Sequence, residues 1–268
     1  MNSITVVIAN YNNAPYLEDC IKSIENQSYP VQEIIVVDDC STDNSLAVLE
    51  KMKKRYGNIV IHKQERNKGV SCARNTGLSL VKTEYVTFVD ADDFYVNPNK
   101  IKNEMSLIKI MKRDRGKDVV AYSITVNCSN DGIPDYPDIK RKGFYLNGHI
   151  HFQLLQMMKW KSIMRDYCVK TDILRNIGGY KEDRNLFEDW ELLIKIARNT
   201  EFYCTMEYGP GYRLGQSGLS NRPAYVYEQT IMDIFQREVD EYGLLYRTWA
   251  KIFNRMFNLL KKVKHKIF

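Results

Sequence analysis

Four short runs rich in β-branched residues, Ile4–Ala9, Glu33–Val37, Ile59–His62 and Tyr85–Val89, punctuate the first 95 residues of this 268-residue chain. Between them lie stretches with helical apolar spacing: Leu17, Ile21 and Ile24, then Leu46, Leu49 and Met52, then a segment opened by Gly69 and Ser71 that runs to Leu80. Continuous apolar runs of this length are strands buried on both faces, and helical connections make such strands parallel. The pattern predicts an α/β fold, with a mostly parallel, Rossmann-like mixed sheet flanked by helices. Ser41 or Asp43 stands where the second helix needs a cap.

Ligands of such sheets bind in the crevice beyond the carboxyl ends of the strands. Three of the four strand ends carry polar clusters: Asn10-Tyr11-Asn12, Asp38-Asp39 and Asp90 to Asp93. The fold should bring them together although about eighty residues separate the first from the last. Asp90, Asp92 and Asp93 repel one another unless a cation joins them, and oxygen ligands of this kind suit Mg²⁺ or Mn²⁺. A lone acidic turn is more often a solvated helix cap, so these residues gain weight only in company. The Asp39 carboxylate can accept an imide N–H, and the ring of Tyr11 can stack on a base.

The second half is less regular. Asp118–Cys128 is expected as a strand, Ile150–Met158 and Asp189–Ala197 as helices, and Gly178-Gly179 as a turn. Tyr208–Asn221, with Gly209, Pro210, Gly211, Gly215 and Gly218, is expected as a loop with room to move. The expected organisation is one domain in two halves, 1–95 and 96–222, followed by a helical extension over 223–268.

The net charge of +6 is unevenly placed. Seven Lys and Arg lie between Tyr246 and Phe268 and no acid follows Glu241, so residues 1–245 carry 32 basic against 33 acidic groups. A neutral body argues against a nucleic-acid partner. In the tail, Trp249, Ile252, Phe253, Met256, Phe257, Leu260, Val263 and Ile267 recur at helical steps, with the basic residues mostly off that face. Such a helix suits peripheral contact with an anionic membrane, or packing on the body or a second subunit. The six cysteines form no CxxC pair, and a reducing compartment is expected. The opening residues lack a basic leader, and no apolar run reaches the length of a membrane span. A place on the cytoplasmic side, at the inner face of the plasma membrane, follows as the expectation.

Read together, VVIANYNNAPYLEDCIKSIENQSYPVQEIIVVDDCSTDNS, NKGVSCARNTGL and TEYVTFVDADD resemble the three N-terminal blocks of inverting family-two glycosyltransferases of the GT-A fold, of the bacterial surface-polysaccharide type. Order, spacing and strand-end placement agree over residues 4–95, and a weaker likeness continues to about 220. The resemblance implies that Ala9, Tyr11 and Asp39 hold uracil, with Asn67 and Arg74 close to the nucleotide and Asp90 and Ala91 by the ribose. It makes Asp92 the principal ligand of Mn²⁺ or Mg²⁺, with Asp93 as helper. Residues 187–193, FEDWELL, resemble the family's ED motif, which makes Asp189 the catalytic base and puts Glu188 and Trp190 near acceptor or diphosphate. In YGPGYRLGQSGLSN, over 208–221, Arg213 and Ser220 fit the family's pattern of acceptor or diphosphate contacts. Gly215 stands where many members carry a His, so no third protein ligand for the metal is implied.

The implied activity is metal-dependent, inverting transfer of a hexosyl or N-acetylhexosaminyl group from a UDP-sugar to a hydroxyl of a glycan or lipid-linked oligosaccharide. Asp189 would take the acceptor proton as that oxygen attacks the anomeric carbon. The alternatives are a catalytically weak nucleotide-sugar-binding module and a sugar nucleotidyltransferase. The latter should carry a glycine-rich, basic phosphate loop after the first strand, where this chain has NYNNAPY.

Overall fold

The computed structural model describes residues 2–136, 145–155, 166–183, 186–214 and 224–241, with Thr248 and Ile252. The chain divides into two compact units, 1–218 and 219–268.

In the first unit the four apolar runs are strands β1 (Ile4–Asn10), β2 (Glu33–Asp38), β3 (Ile59–Lys63) and β4 (Tyr85–Asp90). Each extends one residue past its apolar run, and that residue is polar: Asn10, Asp38, Lys63 or Asp90. The four are parallel in the order β3-β2-β1-β4, and the short β8 (Val169–Lys170) adds antiparallel to β4. The order reverses between β1 and β4, which is the topological switch point where a crevice opens.

Helices α1 (Ala14–Glu25), α2 (Ser45–Tyr56) and α3 (Val70–Leu80) fill the connections. On α1, Leu17, Cys20, Ile21 and Ile24 form one buried face against the sheet. Asp43, not Ser41, serves α2: one carboxylate oxygen accepts the Ser45 N–H at 2.9 Å and the other accepts the Ala14 N–H at 3.0 Å. One side chain thus satisfies orphan donors at the amino ends of two helices.

The second sheet contains β5 (Phe94–Tyr95), β6 (Val119–Cys128), β7 (Pro134–Asp135) and β9 (Glu201–Arg213), in the order β5-β9-β6-β7. An antiparallel bridge between Ala121 and Cys168 joins β6 to the segment entering β8. α4 (Lys100–Arg115) runs between the sheets' strands in sequence, and its Lys100 and Glu104 form a fully buried ion pair at 3.1 Å. Ser123 on β6 donates to Glu104 at 2.7 Å, and burial raises the Glu104 carboxyl against the pull of Lys100.

The stretch from Tyr208 corrects the expectation of a loop. Residues 208–213 continue β9, where Tyr208, Gly211, Tyr212 and Arg213 pair with Ile124, Val126, Asn127 and Cys128. Its glycines serve close packing: a Cβ at Gly209 would stand 2.4 Å from Ser123 Cβ. Residues 215–221 lie outside the described residues. Of the helix expected over Ile150–Met158, α5 (His151–Leu155) is seen, and the rest lies outside the described residues. α6 (Thr171–Asn176) and α7 (Glu188–Ala197) complete the unit.

The second unit holds α8 (Ala224–Asp240), with an i,i+4 ion pair between Asp233 and Arg237. The basic amphipathic helix expected over 246–268 lies outside the described residues, apart from Thr248 and Ile252, which are helical. Among the described residues no helix is long and apolar enough to cross a membrane.

Candidate active site at the switch point

Ala9 pairs with Val37 on one side and Asp90 on the other, so it marks the floor of the crevice. Next to it, Asn10 donates to the buried Asp38 carboxylate at 2.7 Å, and the Ser41 hydroxyl donates to the same oxygen at 2.6 Å. Asp38 is therefore a tie between strand ends. Asp39 donates its N–H to the Asn10 carbonyl, and its two carboxylate oxygens accept the Lys68 and Gly69 N–H groups at 2.8 and 2.7 Å. It anchors the entry to α3. Asn12 takes a left-handed backbone (φ 55°), and its side-chain oxygen accepts the Thr42 and Asp43 N–H groups. Tyr11 between them is 47% exposed, and Asn67 is exposed on the loop before α3.

The acidic turn follows β4. Ligand oxygens of Asp90, Asp92 and Asp93 all lie within 4.8 Å of one another, while Ala91 is buried. Their field is felt by the Cys20 thiol on α1. Burial first, then Asp93, Asp92, Asp166 and Asp90, hold that thiol well above its ordinary range.

Arg213 was expected to meet the diphosphate. Instead its guanidinium is buried between the rings of Tyr16 and Phe94, at 5.1 and 4.5 Å. It donates to the Asp92 carbonyl at 2.7 Å and to Asp19 at 3.1 Å, while its backbone N–H donates to Asp93 at 3.0 Å. It braces the acidic turn because its position at the end of β9 puts it directly beside that turn.

Arg74 on α3 meets acids from the end of β4 and from the start of α7. Its side chain is 2% exposed, and it donates to Asp90 at 2.8 Å, Glu188 at 3.0 Å and Asp189 at 3.1 Å. The ring of Tyr180 lies 5.1 Å from its guanidinium carbon. Glu188 and Asp189 thus face the same crevice as the acidic turn. Trp190 does not. It is fully buried, its indole N–H donates to the Leu154 carbonyl at 2.8 Å, and its ring meets Phe187 edge-on. Trp190, which the resemblance puts near acceptor or diphosphate, is a core residue. Phe187, just before α7, has φ 61°, a conformation that costs a bulky residue energy and sets the angle at which the acid pair enters. Ser220 lies outside the described residues.

The structure also shows positions the sequence reading passed over. Asn75, one residue from Arg74, accepts the Tyr180 N–H at 2.8 Å and donates to the Tyr180 carbonyl, which holds the ring over Arg74. Asp19 faces Arg213 across the turn. Both lie inside the quoted blocks, but only the tertiary contacts reveal what they hold.

The three close carboxylates of Asp90, Asp92 and Asp93 are hard oxygen donors, a set that fits a divalent cation such as Mg²⁺ or Mn²⁺.

The glycosyl transferase family 2 model matches residues 5–170. TuaG of Bacillus subtilis (strain 168), a glycosyltransferase ascribed to teichuronic acid biosynthesis, is 35% identical over 131 residues, 49% of this chain and 50% of its own. The poly(ribitol-phosphate) beta-glucosyltransferase of Bacillus spizizenii (strain ATCC 23059 / NRRL B-14472 / W23) is 43% identical over 94 residues, 34% of this chain and 15% of its own. The matched stretches thus span half or less of these relatives' length. Among solved structures, residues 1–349 of Staphylococcus aureus TarS in complex with UDP superpose with a TM-score of 0.65 at 22% identity, covering 90% of this chain and 67% of that one. The same segment with UDP-GlcNAc gives 0.65 at 21% identity, covering 90% and 68%. The fold is therefore the GT-A arrangement, and with a family match over residues 5–170, more than half of its length, the chain belongs to glycosyl transferase family 2.

Proposed function

We propose that this protein transfers a sugar from a UDP-sugar to a hydroxyl of a cell-surface glycan or lipid-linked acceptor, with inversion at the anomeric carbon. One observation carries the reading: Arg74 holds the acid that ends β4 and the acids that open α7, about a hundred residues apart, at one crevice. The bound UDP and UDP-GlcNAc of the TarS structures support the donor class.

In this reading Tyr11 stacks on the uracil, and Asp39 accepts the imide N–H with a lone pair beyond the two that hold Lys68 and Gly69. Ala9 and Ala91 supply the close floor, Asn67 and Asp90 the sugar side of the nucleoside. Asp92 and Asp93 would hold Mn²⁺ or Mg²⁺. When bound, that ion offsets charge on the leaving diphosphate. Asp189 receives the acceptor proton as the oxygen attacks the anomeric carbon. Glu188 shares the Arg74 guanidinium with it. The basic residues of 246–268 would keep the protein at an anionic membrane on the cytoplasmic side, where a lipid-linked acceptor lies.

The test is a panel of UDP-sugars with and without Mn²⁺, assayed for UDP release and transfer. Asp189→Asn should bind donor normally and turn over about 10²–10⁴-fold more slowly. Near-normal turnover would remove Asp189 from the role, and no release from any donor would sink the enzyme reading.

A further inference from the structure

We propose that Arg74 is a positioning residue for the base Asp189, and not a ligand of the nucleotide. The inference rests on the reading of Asp189 given above. Arg74 Nη1 donates toward α7, to Glu188 at 3.0 Å and to Asp189 at 3.1 Å, and Nη2 donates to Asp90 at 2.8 Å. A guanidinium is planar, so its donors leave in fixed directions and demand carboxylates at fixed places. Three acids from β4 and α7 meet that demand.

Asp189 sits in the first turn of a helix, where a short side chain has several rotamers open to it. The bond to its Oδ1 fixes the carboxylate plane, and with it the direction in which the second oxygen points. The guanidinium is itself held. Its side chain is 2% exposed, the Tyr180 ring covers it, and Asn75 bonds to both the N–H and the carbonyl of Tyr180. Rigidity therefore passes from α3 to the acid of α7. Through Asp90 the same cation touches the turn proposed to hold the donor side. One group fixes the distance between the two halves of the reaction.

Lysine keeps the charge but not the fork, since its single ammonium is a point charge on a flexible stem. Arg74→Lys should therefore fold, bind UDP with Mn²⁺ as the wild type does in calorimetry, and lose kcat by about 10- to 100-fold, the usual cost of losing an orienting partner. Donor KM should change little. Arg74→Ala should be slower still, and added guanidinium ion should restore part of its turnover. Asp189→Asn should gain nothing from guanidinium. Wild-type kcat in Arg74→Lys alongside an inactive Asp189→Asn would overturn the inference and leave the proposed function standing. So would a loss of UDP affinity in Arg74→Lys as large as its loss of kcat, because that is the behaviour of a nucleotide ligand. Normal turnover in Asp189→Asn would overturn both. If Arg74→Ala fails to fold, the lysine variant decides.

Discussion

Gly77 on α3 lies against Val7 on β1 so closely that an added Cβ would stand 2.3 Å from Val7 Cγ1. Arg74 is one turn earlier on the same helix. The near contact thus sets the height of the guanidinium above the sheet. Gly77→Ala gains about 0.5–1 kcal/mol of helix propensity but must push the helix away, at about 1–3 kcal/mol for overpacking. A lower melting temperature and reduced turnover are expected. Val7→Ala in the same background removes the obstructing methyl and should recover stability, a non-additive pair. A variant at Gly77 that melts at or above the wild type would refute the packing argument.

Asp39 offers a second handle. Its carboxylate accepts two backbone N–H groups at the entry to α3 while 3% exposed. Asp39→Asn turns one acceptor into a donor facing another donor. The expected cost is about 1–3 kcal/mol, with faster hydrogen exchange at Lys68 and Gly69 than in the wild type. Unchanged exchange at those amides would show that the anchor is dispensable.

The cation reading is checked without turnover. Thermal stabilisation by UDP should require Mn²⁺ or Mg²⁺, vanish on chelation, and vanish in Asp92→Asn at the same metal concentration. Stabilisation by UDP that is indifferent to chelator would remove the metal from Asp92 and Asp93.

His151 makes acid stability measurable at one position. Burial lowers its affinity for a proton below the ordinary value of 6.5, the Ile194 carbonyl at 3.2 Å partly opposes this, and Arg198 adds to the lowering. As pH falls from 6.5 toward the lower folded value, the unfolded chain gains a proton that the folded chain resists, so stability drops. Between about pH 7.5 and 5.5 the wild type should lose more melting temperature than His151→Gln. Equal losses would show that this imidazole is not held neutral by the fold.

The parallel sheet was legible because burial on both faces leaves an unbroken apolar run, and the polar residue that ends each run falls at the strand's carboxyl end. The second half was harder to read. Tyr208–Arg213 carries two glycines and a proline and looks like a loop, yet the glycines are there because β6 and α4 press on that strand. Lys100 and Glu104 look like a solvated helical pair at i,i+4 and are fully buried. Trp190 and Arg213 both lie in stretches that resemble family motifs, but Trp190 belongs to the core and Arg213, at a strand end, binds the acidic turn beside it. Arg74 was legible as a resident of the crevice; that its donors go to carboxylates is tertiary information.

Only Ala91, Asp92 and Asp93 separate the last residue of β4 from the first of β5, and those two strands belong to different sheets. Asp90 is registered beside Ala9, and Phe94 beside Gly211. The short tether between two fixed walls leaves the three like charges no slack with which to drift apart. Affinity for a cation is then governed by a length of chain as much as by a tally of acids. An extra residue inserted there would slacken the jaw with every carboxylate still in place.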